Sequence, residues 1–189
     1  DMSFQLFIQM ASLMTFRSIL SMSQAVEMRT FEYGRYDTIL SNSNYIQKLT
    51  KLFESAYDQE SARPFMSLFK AMVESQKNKI VSCKKGEAMI TYLDALLVLN
   101  FPPENSKKKS LDRFKFLFET NPMLRGLMDP YISTSGIPHL RSIDTFAFTD
   151  FGKDKLGLGY IIGPEEVILG EYRLGIFKNK KDNFIKNLK

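Results

Sequence analysis

Cysteine and histidine are nearly missing from this 189-residue sequence: each occurs once, as Cys83 and His139. A single cysteine excludes an internal disulfide and any zinc site of the multi-cysteine kind. A single histidine argues against metal sites built on paired histidines. It also makes His139 the sole carrier of any histidine-dependent catalysis within the chain. Long apolar runs are missing too. The best candidate, Phe4 to Leu20, carries Gln5, Gln9 and Arg17, whereas a membrane span needs about 20 predominantly apolar residues. It reads as a largely buried helix. There is no internal repeat and no low-complexity tract. Neither sign of charge dominates: 26 Lys and Arg face 21 Asp and Glu, for a net charge of +5 and a pI near 9.2. That balance fits an ordinary basic surface or attraction to a phosphate-bearing partner. No motif interleaves aromatic and basic residues, so nucleic acid is not an expected partner.

What is present is ordinary globular material, 44% hydrophobic and 25% charged, enough for one domain or a tightly joined pair of layers with a real core. From Ser3 to about Arg29 the chain has helical character. Leu6, Met10, Leu13, Met14 and Leu20 recur near helical spacing, and the period falters among Ser21, Met22, Ser23 and Gln24, where the helix is expected to end. Glu32 to Arg35 reads as a turn in which Gly34 supplies positive φ. A second helix is expected over Asn42 to Tyr57. A third has Pro64 in its first turn, and a fourth after Gly86 points Met89, Tyr92, Leu93, Leu96 and Leu97 inward. A fifth spans Leu111 to Glu119. After Pro122 the apolar runs shorten. Tyr131-Ile132, Thr145 to Phe148, Gly159 to Ile162, Val167 to Leu169 and Tyr172 to Phe177 read as strands, and the residues from Lys178 begin a last helix. The layout is helical over 3–120 and sheet-forming over 129–177, an α/β (α+β) pattern of helices packed on a mostly antiparallel sheet.

Several polar clusters have chemistry to offer. Ser133-Thr134-Ser135-Gly136 follows an apolar lead-in and reads as a strand end opening into a turn. Its hydroxyls can donate to an oxyanion or a carboxylate, or serve only as turn residues. Gly157-Leu158-Gly159 reads as a tight strand approached closely by another backbone or a ligand. Arg35, after Gly34, can clamp a carboxylate or form a surface ion pair. Lys84 and Lys85 beside Gly86 can meet an anion at a helix start or sit in solvent, and His139 reads as an exposed loop residue. Cys83 would be a nucleophile only if those lysines lower its pKa and a base is at hand.

In order along the chain, these pieces resemble the carnitine/choline acyltransferase family. Phe7-Ile8-Gln9-Met10-Ala11 is similar to the family's F/Y-I-Q-M-A helix, and Arg29 to Thr38 resembles R-x-F-x-x-G-R-T-[DE]-T. Gly86-Glu87-Ala88 resembles G-E-A, Ser133-Thr134-Ser135 the S-T-S motif, and Asp154 to Tyr160 the D-G-Y-G-V-G-Y stretch. The resemblance covers nearly the whole chain as the C-terminal half of such enzymes. It implies a CoA-dependent acyltransferase fold of the chloramphenicol acetyltransferase type, with helices covering a mixed β-sheet. It implies acyl transfer between coenzyme A, as acyl-CoA co-substrate, and the hydroxyl of carnitine, choline or a related amino alcohol. The catalytic histidine would lie in an N-terminal half of the same protein, not at His139. Carried over, Ser135 is the oxyanion donor and Arg35 helps hold the catalytic centre; Ser133 contacts the amino alcohol. Ser23, Tyr36 and Lys85 stand where the family has a tyrosine, a threonine and an arginine of the acceptor pocket. Lys70 resembles a basic contact to coenzyme A, and Gly136 takes the place of a glutamine after S-T-S. The altered acceptor positions also leave room for a catalytically inactive family member that acts as a binding or interaction protein.

Overall fold

The structure is a computed structural model that describes residues 1–34, 36–55, 59–100, 116, 119–147, 152, 154–173 and 180–189. Helix α1 (Met2–Phe16) buries Leu6, Ile8, Met10 and Ala11 on opposite sides. It is apolar nearly all round because it lies between two layers. Arg17 ends it in the left-handed conformation, φ 55°, with its N–H returned to the Leu13 carbonyl. The next residues are not a helical tail. Met22–Glu27 is strand β1, where the sequence marked only the end of the helix. Its buried face alternates Met22, Gln24 and Val26, and the buried polar Gln24 hides the period of two. The turn that follows runs through Gly34, whose φ is not positive. A Cβ on Gly34 would instead run into the Met28 carbonyl, so space selects the glycine.

Strand β2 (Tyr36–Leu40) pairs antiparallel with β1, with Val26 opposite Asp37. Helices α2 (Ile46–Ser55), α3 (Gln59–Lys84) and α4 (Met89–Asn100) come next. Helix α3 starts five residues before Pro64, so this proline lies inside the helix and not at its first turn. In α4, Met89 and Tyr92 are 60% and 63% exposed, against the inward facing expected of them. Most of the expected fifth helix, Leu111 to Glu119, lies outside the described residues. A short helix α5 (Pro122–Met128) leads into β3 (Ile132–Pro138), β4 (Leu156–Ile162) and β5 (Val167–Arg173), and α6 (Lys181–Leu188) closes the chain. Residues 145–147 are irregular, not a strand, and Phe148 and residues 174–177 lie outside the described residues.

The five strands form one sheet in the order β2-β1-β3-β4-β5. Strands β1, β3 and β4 are parallel, and β2 and β5 run antiparallel at the two edges. The sheet is therefore mixed, not mostly antiparallel, and two of its strands come from the stretch that reads as helical. Parallel neighbours need long crossovers. The segment between β1 and β3 supplies one, carrying α2 to α5.

One face of the sheet holds the core. Ile8 and Ala11 of α1 pack on Met22, Ile132, Leu156, Leu158 and Tyr160, with Phe184 of α6 beside them. The outer side of α1, through Leu6 and Met10, packs on Ile46 and Leu49 of α2 and Met72 of α3. A third cluster joins Val26, Met28 and Ile39 to Cys83 at the end of α3. No helix among the described residues is long and apolar enough to cross a membrane.

Candidate functional site on the serine face of the sheet

Side chains alternate across a strand, so β3 sends Ile132, Thr134 and Gly136 toward the helices and Ser133 and Ser135 the other way. The S-T-S run lies within the strand; it does not open a turn as the sequence suggested. Register then decides who meets whom. Ser133 is flanked by Ser23 of β1 and Gly157 of β4, and Ser135 has Gly159 beside it. Ser23 is buried, and its hydroxyl donates a long bond, 3.4 Å, to the Ser133 hydroxyl. Ser135 is half-buried, and its hydroxyl has no hydrogen-bond partner among the described residues. A hydroxyl without a partner can donate to an incoming acceptor. Gly159 is tight in the expected way: a Cβ there would stand 2.5 Å from the Phe146 carbonyl oxygen.

The opposite side of β3 is held by buried polar groups that sequence reasoning missed. Thr134 is fully buried. Its hydroxyl hydrogen is shared between two acceptors, the Ser23 carbonyl at 2.9 Å and Gln5 Oε1 at 3.1 Å. Gln5 Nε2 donates to the Tyr160 hydroxyl at 2.6 Å, and that hydroxyl donates to the Asp1 carboxylate. Burial pushes the Tyr160 phenol up to about 12, partly opposed by its bond from Gln5. Gln24 Nε2 donates to the other Asp1 oxygen, and Gln76 Nε2 of α3 donates to Gln24 Oε1. Counting residues by twos from Ile132 was the available signal for an inward Thr134.

The other sequence candidates are spread out. Tyr36 shares the serine face at the end of β2, opposite Glu27, and is 69% exposed. Arg35 lies outside the described residues. Lys85 is exposed just after α3, beside Gly86 with φ +83°. Lys70 is exposed on α3, a helix on the far side of the sheet, so the structure does not bring it to the serines. Gly136 faces the helices, where the Tyr160 ring fills the space of a side chain: a Cβ would meet Cε2 at 2.5 Å. The glycine thus belongs with that ring. His139 is exposed beyond the end of β3, roughly 13 Å along the chain from Ser135 at strand spacing.

Cys83 is no nucleophile. It is 1% exposed, and burial together with the Asp37 charge raises its thiol to about 11, which Lys84 only partly offsets. Its Sγ lies 3.9 Å from the Met28 sulfur. Lys79 has a supporting role. Its ammonium donates to the Leu40 and Asn42 carbonyls at the end of β2, and burial lowers its pKa. Among the described residues no group of three or more His, Cys, Asp or Glu is placed to hold a metal ion.

Compared with known proteins, the chain is matched by a family model over residues 1–189, its whole length; the description of that model is Choline/Carnitine o-acyltransferase. No curated protein matches it.

Proposed function

This chain belongs to the choline/carnitine O-acyltransferase family, and on that premise we propose that it is part of an O-acyltransferase working between coenzyme A and the hydroxyl of carnitine, choline or a related amino alcohol. The observation that carries the reading is the pair Ser133 and Ser135 on the face of the sheet turned away from the helices, with the Ser135 hydroxyl unpartnered among the described residues. In the transfer, a base takes the proton of the acceptor hydroxyl and the alkoxide attacks the thioester carbonyl. The carbonyl oxygen then gathers negative charge, and Ser135 donates a hydrogen bond to it. Collapse of the tetrahedral centre re-forms the carbonyl and expels the thiolate, which recovers the proton from the base.

Gly157 and Gly159 keep β4 free of side chains beside the serines, and the space over Gly159 is taken by the Phe146 backbone. Ser23 and Ser133 would line the acceptor side, with Tyr36 at its rim. Arg35 would brace the centre, and Lys85 would face an acceptor carboxylate. The base would come from an N-terminal half of the protein, because His139 is too far along the strand to reach a substrate held by Ser135.

Replacing Ser135 tests the reading in the native protein, assayed with acyl-coenzyme A and with carnitine or choline. Ser135→Ala is expected to cost roughly 10²–10³ in kcat, as for other oxyanion donors. A loss of about tenfold or less would overturn the role. The exposed Tyr36, bulkier than the family's threonine, favours a second reading, a binding protein without turnover. Saturable binding of acetyl-coenzyme A with no thiol release on adding any acceptor would decide for it.

A further inference from the structure

Ser135 is held from behind on both sides, and one residue reaches both places. The Tyr160 ring lies under Gly136, leaving no room for a Cβ. The Tyr160 hydroxyl takes the Gln5 amide, which turns Gln5 Oε1 toward Thr134. We propose that Tyr160 is a positioning residue for the Ser135 hydroxyl, acting through Gln5 and Thr134 on one side and the Gly136 backbone on the other. The inference rests on the reading of Ser135 as the oxyanion donor.

Apolar packing fixes the distance of a strand from a helix but resists sliding along the strand only weakly, because a methyl that leaves one groove settles into the next. Hydrogen bonds are directional and fix position along the strand. Here they run from Gln76 of α3 through Gln24, Asp1, Tyr160 and Gln5 to Thr134, tying α3, β1, α1, β4 and β3 together. Gln5, Gln24, Gln76, Thr134 and Tyr160 are all buried. Thr134 has one hydroxyl hydrogen. Shared between the Ser23 carbonyl and Gln5 Oε1, it pins β3 one residue before Ser135. An oxyanion donor needs this precision, since about 1 Å of misplacement costs on the order of 10²-fold.

The test uses the native protein with acetyl- and palmitoyl-coenzyme A as donors and carnitine and choline as acceptors. Tyr160→Phe keeps the ring and removes the hydroxyl; Thr134→Val removes the pin, and Thr134→Ser keeps it. Tyr160→Phe and Thr134→Val are expected to lower kcat about tenfold or more with both KM values within about twofold, while Thr134→Ser stays near the parent. In a Ser135→Ala background, Tyr160→Phe should cost nothing further, because the hydroxyl it positions is gone. Amide hydrogen exchange gives a reading independent of turnover: exchange over 132–138 should quicken about tenfold in Tyr160→Phe, with β1 and β2 unchanged. The proposal fails if kcat and this exchange are both unchanged, if the loss persists in the Ser135→Ala background, or if exchange quickens across the whole sheet. If Ser135→Ala itself leaves kcat intact, the oxyanion reading and the positioning role that rests on it both fall. If the Ser135→Ala loss is large and Tyr160→Phe is silent, only the positioning role falls. Should Tyr160→Phe not fold, Gly136→Ala, which pushes on the ring from the strand side, is expected to give the same selective loss.

Discussion

Two buried acids give the protein an alkaline limit. Cys83 is raised to about 11 and Tyr160 to about 12, from ordinary values of 9.0 and 10.0, in both cases mainly by burial. The folded state keeps protons that the unfolded chain releases sooner. Each group's contribution is therefore whole below its ordinary value and is lost as pH climbs through the raised one. Unfolding midpoints in urea should hold below about pH 9 and fall between about pH 9 and pH 12, and Cys83→Ser should flatten the lower part of that slope. The same burial makes the thiol inert. Iodoacetamide at about pH 8 should leave Cys83 unmodified in the folded protein and modify it after denaturation, because only the thiolate reacts. Lys84 and Lys85 next to Cys83 in sequence promise the opposite. Adjacency along the chain says nothing about which way a side chain turns at the end of a helix, and this one turns into Val26, Met28 and Ile39.

At the scale of elements, the glycines of β4 and β5 are decided by contact. Gly159 and Gly170 sit opposite each other in the sheet, and a Cβ on either would strike the backbone at Phe146. Backbone yields less readily than a flexible side chain. Gly159→Ala and Gly170→Ala should each destabilise the fold by about 1–3 kcal/mol, read as a shift in the urea midpoint at constant slope. An unchanged midpoint would mean that residues 146–147 move aside freely. The sequence already marked Gly157-Leu158-Gly159 as a strand approached by another backbone or a ligand, but not which. Helices α2 and α3 were legible because their apolar residues repeat at three and four; α6 was expected from the alternation of basic and apolar residues after Lys178. Strand β1 was not. Its inward face includes Gln24, which is satisfied only by Asp1 and Gln76, one at the chain start and one in α3. Met89 and Tyr92 were placed inward by spacing, yet α4 packs near the edge strand β2 and leaves them in solvent.

For the whole molecule, the asymmetry of the sheet matters most. Its apolar layer, α1 with α3 and α6, covers one face, and the serines occupy the other. If the base comes from elsewhere in the protein, purified residues 1–189 should release no thiol from acetyl-coenzyme A with any acceptor. Release that disappears in Ser135→Ala would show that the chain holds its own base. The sequence by itself determined the family, through short motifs in order, and the helices, through periodicity. Both are local or one-dimensional signals. It also held the residue types of the site. Only the tertiary structure decided that Ser23, Ser133 and Ser135 share a face, that Thr134 turns away to Gln5 and Tyr160, and that Lys70 lies on the far side. Those outcomes depend on register between strands more than a hundred residues apart. A one-residue slip would exchange the two faces. Register is set by the buried groups that must find partners across that distance, and no local pattern carries it.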